Sequence, residues 1–127
     1  MGEKNFGREF AETLRMREDL QGTQQIVMWA ERGGSLVVSE TATGPEVRLA
    51  YDEPEHEHRI TVAAEDAALT ELRARRLFSS DDACLSDLMD ELDAAGIPFG
   101  YTSIGRHVFY RPPALRAGVR VLAGVGA

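Results

Sequence analysis

Cysteine is nearly absent from this sequence, and so are the long apolar segments that target or anchor a protein. The single Cys84 excludes an intramolecular disulfide and a zinc site built from several cysteines. The N-terminal stretch has no apolar core of the kind that a secretory signal requires, and no apolar run approaches the roughly 20 residues that cross a bilayer. These absences predict a cytoplasmic protein that does not enter the membrane.

The sequence motifs of common enzyme sites are missing as well. The glycines of Arg32-Gly33-Gly34 lack the spacing of a Walker or dinucleotide-binding loop, and no Gly-x-Ser-x-Gly motif occurs. Cys84 adjoins the apolar stripe of a predicted helix, which favours a small core residue over a nucleophile. We therefore predict no catalytic residue and no cofactor, and a non-catalytic protein is favoured over an enzyme.

Basic residues are outnumbered, because the 127-residue chain has 14 Lys and Arg against 21 Asp and Glu, a net charge of −7. An acidic surface repels phosphate backbones, so nucleic acid is a disfavoured partner. The length is that of one ordinary domain, large enough for a hydrophobic core without disulfides or metals. We assign residues 1–113 to that domain and interpret residues 114–127, rich in Gly and Ala, as a short strand or a disordered tail.

Alternating apolar residues dominate residues 24–64 and predict four short strands in two consecutive hairpins. In the third strand Val47, Leu49 and Tyr51 fall on one side, because successive side chains of a strand point to opposite faces. A sheet with one apolar face must bury that face against other elements, and here the candidates are helices.

Apolar residues with helical spacing predict three helices that would cover this sheet. Phe6, Phe10 and Leu14 share one face of a helix over residues 3–19. Residues 65–95 contain two more helices. The second of these has the clearest apolar stripe in the chain, formed by Leu85, Leu88, Met89 and Leu92.

A last hairpin is predicted over residues 97–111, where Phe99 and Tyr101 alternate on one arm and Val108 and Tyr110 on the other. The predicted fold class is thus α+β, with an antiparallel four-stranded meander, an additional C-terminal hairpin, and three helices packed mainly on one face. The apolar side of the hairpin and an open sheet edge would also allow a homodimer.

Acidic residues are concentrated in the last predicted helix. Six lie from Asp81 to Asp93, with no Lys or Arg among them. Like charges three or four residues apart on a helix repel each other weakly, and a basic partner would relieve that repulsion. The alternative is a solvated helix face whose first acids favour the helix dipole. The predicted partner-binding residues are Asp87, Asp90, Glu91 and Asp93.

His56 and His58 lie two residues apart in an acidic loop, a spacing that directs both rings to one side of an extended chain. Such a pair is a common beginning of a zinc, nickel or iron site, and His107 is the only further histidine in the chain. The alternative is a hydrated hairpin loop in which His58 pairs across the ladder.

Two helices followed by a hairpin is also the order of elements in a winged helix-turn-helix. The stretch LMDELDAAGIPFGYTSIGRHVFYRP resembles the recognition helix and wing of small winged-helix repressors, through its Leu-rich helix, Gly-Arg turn and Tyr-Arg strand. The resemblance implies a DNA-binding regulator. A DNA-reading helix presents basic, amide or hydroxyl side chains, however, whereas this helix presents Asp and Glu.

Three functions stay open at this point. The favoured one is a small acidic, non-catalytic interaction module, an inhibitor or regulator, that offers an acidic helix face to a basic protein partner. The alternatives are a winged-helix-like DNA-binding regulator and a metal-binding protein or enzyme that uses His56 and His58.

Overall fold

The computed structural model describes residues 11–20, 22–51, 53–80, 82–105 and 108–113 of the chain. These residues form six strands and three helices, which confirms the predicted α+β class. None of the helices among them is long and apolar enough to cross a membrane. In chain order the elements are β1 (Glu12–Asp19), β2 (Gly22–Ala30), β3 (Leu36–Thr43), α1 (Pro45–Tyr51), β4 (Glu55–Val62), α2 (Ala64–Leu77), α3 (Leu85–Ala94), β5 (Phe99–Ile104) and β6 (Val108–Arg111).

All six strands belong to one antiparallel sheet, and each strand lies beside its neighbours in sequence, in the order β1-β2-β3-β4-β5-β6. The predicted meander and C-terminal hairpin are therefore parts of a single sheet, joined where Ile60 of β4 pairs with Tyr101 of β5. The helices α2 and α3 form the long connection between these two neighbouring strands.

The hydrophobic core lies between one face of the sheet and the helices α2 and α3. Alternate residues of β2, β3 and β4 supply its sheet side, because side chains alternate between the two faces of a strand. Burying each leucine of α3 contributes roughly 1.5–3 kcal/mol to folding. The buried core side chains are Ile26, Met28, Leu36, Val38, Ile60, Val62, Ala74, Phe78, Ala83, Leu85, Leu88, Leu92, Ile97 and Phe99.

Local signals in the sequence fix both ends of α3. The backbone N–H of Cys84 donates to Oδ2 of Asp87 at 2.8 Å, which satisfies a donor at the start of the helix. At the other end Gly96 takes a positive φ of 73°, and the N–H of Ile97 donates to the carbonyl oxygen of Leu92 at 2.9 Å. These caps define where α3 begins and ends.

The helix predicted over residues 3–19 is wrong where the structure describes it, because Glu12–Asp19 is strand β1. β1 pairs antiparallel with β2, which is apolar on both faces and gains hydrogen bonds on both edges from this arrangement. That pairing outweighs a helical spacing carried by three residues. Leu14 packs against the core from β1, while Phe6 and Phe10 lie outside the described residues.

The third predicted strand is also wrong, because Pro45–Tyr51 is the helix α1. Gly44 has a positive φ of 122°, and Pro45 takes the first helical position, where its fixed φ suits a helix. The N–H of Arg48 donates to the carbonyl oxygen of Gly44 at 3.0 Å. Leu49 is 89% exposed, so it does not contribute to the core as predicted. Residues 24–64 therefore supply three strands and one helix.

The hairpin predicted over residues 97–111 corresponds to β5 and β6, but its apolar residues do not share one face. Thr102 pairs with Tyr110, so Tyr110 lies on the opposite side of the sheet from Phe99 and Tyr101. Phe99 is buried in the core of its own chain. The continuous apolar face that suggested a homodimer is thus not present as predicted. The tail over residues 114–127 lies outside the described residues.

Candidate functional site

Polar side chains gather on the helix-facing side of the sheet, beside the first turns of α3. His56, His58 and Ile60 lie on the same face of β4, because every second side chain of a strand points to the same side. This is the face that Ile60 presents to the core. His58 pairs with a residue on each of the two neighbouring strands. These residues are Glu40 of β3 and Ser103 of β5. We use the name polar cluster for Glu40, Glu53, His56, His58, Tyr101 and Ser103.

His56 connects a carboxylate to a hydroxyl within this cluster. Its Nδ1 lies 2.6 Å from Oε1 of Glu53, just before β4, and its Nε2 lies 2.7 Å from Oγ of Ser103 on β5. Both His56 and Glu53 are buried, with 5% and 8% of their surface exposed. Because both ring nitrogens have partners, the orientation of the imidazole is fixed.

Gly105 leaves room for the carboxylate of Glu53. A Cβ at position 105 would lie 1.8 Å from Oε1 of Glu53, so glycine permits the carboxylate position that reaches His56. A carboxylate at this depth would be unfavourable without partners, and the contact with His56 offsets that penalty.

His58 is held by Tyr101, whose hydroxyl forms a hydrogen bond with Nδ1. The two rings also stack, with their centroids 5.8 Å apart. Burial, and then the neighbouring His56, lower the pKa of His58 below its ordinary value. The His58 ring is therefore neutral at neutral pH, and a neutral imidazole has one donor and one acceptor nitrogen.

Glu40 lines a cleft between the sheet and α3. Its Oε2 accepts hydrogen bonds from Nε2 of Gln24 at 2.7 Å and from the backbone N–H of Leu85 at 3.4 Å. Burial raises the pKa of Glu40, although these hydrogen bonds and the charge of Arg15 oppose the rise. A cation in the cleft would therefore stabilise the ionised carboxylate. The cleft has a volume of about 290 Å³ and is lined by Glu40, His58, Leu85, Ser86, Met89 and Tyr101.

The four acids predicted to bind a partner differ in their surroundings. Asp87 caps α3, and Oε1 of Glu91 lies 3.5 Å from NH1 of Arg73 on α2. Asp90 and Asp93 are exposed, and neither forms an ion pair within the part of the chain that the structure describes. Asp90 and Asp93 are thus the acids that a partner could contact without disturbing an existing interaction.

His56 and His58, the predicted metal pair, do share one side of β4, with ring centroids 4.5 Å apart. A metal bound to His56 would have to displace Glu53 or Ser103 from a ring nitrogen. In the described ranges, no group of three or more His, Cys, Asp or Glu side chains is arranged to hold a metal ion. His107 lies outside those ranges, so the metal hypothesis stays a prediction.

Sequence reasoning did not assign the other four members of the polar cluster to this site, and it placed Tyr101 on the apolar side of the hairpin instead. The available signal was alternation, since Tyr101 and Ser103 on β5 stand two apart, as His56 and His58 do on β4. The missing information was that β4 and β5 pair although two helices separate them in sequence. The four residues are Glu40, Glu53, Tyr101 and Ser103.

The function of the polar cluster and the cleft has to be inferred from their own chemistry. Comparison of the chain with protein-family models, with curated proteins and with solved structures found no match.

Proposed function

We propose that this chain is a protein-interaction module, an inhibitor or regulator, that binds a basic segment of a partner protein through α3 and the neighbouring cleft. The observation that carries the proposal is the Glu40 carboxylate, which lines the cleft and has a pKa raised by burial. A carboxylate in that state gains more from a nearby cation than a fully hydrated acid does. Asp90 and Asp93 add exposed negative charge on the same helix.

The lining of the cleft suits the long side chain of a lysine or arginine. Leu85 and Met89 offer apolar contacts for its aliphatic stem, and Tyr101 offers an aromatic ring for its charged end. Ser86 of the lining and the exposed Asp90 stand four residues apart on α3, so they share one side of the helix. A basic segment would place one side chain in the cleft and others against the exposed acids.

A DNA-binding regulator is favoured less, because basic residues of α2 are engaged within the chain. NH1 of Arg73 lies 3.5 Å from Oε1 of Glu91, and Arg75 forms ion pairs with Glu12 and Glu71. The exposed acids of α3 would also repel a phosphate backbone. Both features favour a basic protein over a nucleic acid as the partner.

Calorimetric titration with an arginine- and lysine-rich peptide tests the proposal, with the same peptide carrying neutral citrulline in place of arginine for comparison. We expect salt-sensitive binding that weakens about tenfold in Glu40→Gln and in the double variant Asp90→Asn, Asp93→Asn, because each removes negative charge from the contact. Glu18→Gln removes an exposed acid from the edge strand β1 and is the matched control, which should bind like the unaltered protein.

Equal affinity in all four proteins, or equal affinity for the citrulline peptide, would contradict the proposal. Glu40→Gln relieves the burial of a charge and is expected to stabilise the fold at neutral pH. Weaker binding by that variant therefore could not be attributed to unfolding.

A further inference from the structure

We propose that Ser103 is a nucleophile whose hydroxyl is activated by His56 and Glu53, and that it cleaves a small carboxylic ester. The three side chains are linked in the order carboxylate, imidazole and hydroxyl, by contacts of 2.6 and 2.7 Å. In this arrangement a histidine removes the proton of a hydroxyl while a carboxylate holds the other ring nitrogen. The three residues come from the segment before β4, from β4 and from β5.

The burial of Glu53 selects the required form of His56. A carboxylate that is only 8% exposed has little water to solvate it, so it retains the N–H on Nδ1 of the imidazole. In the neutral ring the lone pair is then on Nε2, which faces the hydroxyl of Ser103. With this tautomer the hydroxyl of Ser103 donates to Nε2 of His56, as proton removal from Ser103 requires.

Ser103 lies where a small substrate could reach it. Its side chain is half-buried, whereas Glu53 and His56 behind it are buried. Tyr101, two positions earlier on the same face of β5, lines the cleft, and Leu85 supplies an apolar wall there. Ser103 pairs with His58 of this lining but does not line the cleft itself, and its half-buried position favours a short acyl group over a long one.

The reaction needs no group beyond the ester and water. Oγ of Ser103 bonds to the ester carbonyl carbon while Nε2 of His56 takes the hydroxyl proton. The carbon–oxygen bond to the leaving group then breaks, and the leaving oxygen receives that proton. Water attacks the acyl carbon and gives a proton to Nε2, and Ser103 regains this proton as the carboxylic acid leaves.

Two experiments test the assignment. In the first, the full chain reacts with a fluorophosphonate probe and the labelled peptide is identified by mass spectrometry. The second measures the hydrolysis of p-nitrophenyl acetate. We expect a single label, on Ser103, and hydrolysis that falls by about 10²-fold or more in Ser103→Ala, because the nucleophile is lost. Ser79→Ala, which removes an exposed hydroxyl just beyond the end of α2, should leave both readouts unchanged. Ser39→Ala should also leave both readouts unchanged, because the hydroxyl that it removes is occupied in donating to Oε2 of Glu57 at 2.6 Å.

Gly105→Ala provides a second variant that leaves all three side chains in place. Its Cβ would displace the Glu53 carboxylate from His56, so labelling should slow although the nucleophile is present. Gly33→Ala is the matched control, because a Cβ at position 33 would have no heavy atom within 4 Å.

An unlabelled chain, a label on a residue other than Ser103, or hydrolysis that persists in Ser103→Ala would overturn the proposal. If Ser103→Ala fails to fold, the labelled residue in the unaltered protein decides the question. Peptide binding does not require Ser103, so a negative result here would leave the proposed binding function untouched.

Discussion

Thr70 of α2 is completely buried, and its hydroxyl has no hydrogen-bond partner among the described residues. Ser39 of β3 is equally buried, but its hydroxyl donates to Oε2 of Glu57. A buried polar group without a partner lowers stability by the desolvation that nothing offsets, whereas a paired group makes a net contribution. The two hydroxyls should therefore have opposite effects when removed.

We expect Thr70→Val to raise the free energy of unfolding by about 1 kcal/mol, because valine keeps the shape and removes the unpaired hydroxyl. We expect Ser39→Ala to lower it by about 1 kcal/mol, since Glu57 loses a donor. Urea unfolding at neutral pH measures both changes. A destabilised Thr70→Val variant would show that the threonine hydroxyl has a partner.

Glu40 makes stability depend on pH in a defined direction. Burial raises its pKa in the folded state above the ordinary value of 4.5, so folding favours the protonated carboxyl. The associated stability is present below the unfolded pKa and is lost as the pH rises through the folded pKa. Nearby Arg15 opposes the shift and Asp87 reinforces it.

Glu40→Gln removes this titration, because an amide cannot ionise. We expect the variant to be more stable than the unaltered protein at neutral pH, and the difference to vanish below about pH 4, where the glutamate is protonated in both states. Urea midpoints at the two pH values provide the measurement. A difference that stays constant with pH would show that Glu40 is not desolvated.

At the level of single elements, α3 could be predicted from the sequence and α1 could not. The apolar stripe of α3 recurs over ten residues and ends at Gly96, a combination that only a helix satisfies. In the seven residues of α1, Val47, Leu49 and Tyr51 alternate as they would in a strand. Val47 and Tyr51 are also four residues apart, as on one face of a helix, so the apolar spacing fits a strand and a helix equally well. Gly44 and Pro45 suit a helix start, but the alternation of apolar residues led to the prediction of a strand.

The exposure of Leu49 distinguishes the two interpretations of this segment. We expect Leu49→Gln to change the free energy of unfolding by less than about 0.5 kcal/mol, because the side chain is 89% exposed on α1. Leu92→Ala, in the core of α3, should lower it by about 2–5 kcal/mol. A large fall in the free energy of unfolding of Leu49→Gln would contradict the helix and support the predicted strand with its buried face.

The candidate site could be predicted only in part, because some of its contacts join residues that are far apart in the sequence. Spacing along one element indicated that His56 and His58 share a side, and that the acids of α3 share a helix. The contacts to Glu53 and Ser103 depend on a turn and on the pairing of β4 with β5, which are set by the packing of the whole chain. Local patterns do not contain that information.

At the scale of the molecule, the described residues form a single sheet whose first and last strands are β1 and β6. β1 has the sequence ETLRMRED, and charged residues of this kind discourage an edge strand from pairing with another chain. Self-association through β6 stays a prediction.

Charge is distributed unevenly over the molecule. Arg75 of α2 binds acids of its own chain, whereas Asp90 and Asp93 leave α3 with exposed negative charge next to the cleft that contains Glu40. Basic groups brought by another protein would complement this surface and would be attracted to it over about one Debye length.

The most direct test of the central claim, that α3 and the cleft bind a basic protein, is comparative affinity capture from a nuclease-treated lysate of the cells that produce the chain. One column carries the unaltered protein and the other carries Asp90→Lys, Asp93→Lys. We predict a basic protein that is retained only by the unaltered chain and released by moderate salt. Retention of the same proteins on both columns, or of none on either, would contradict the claim.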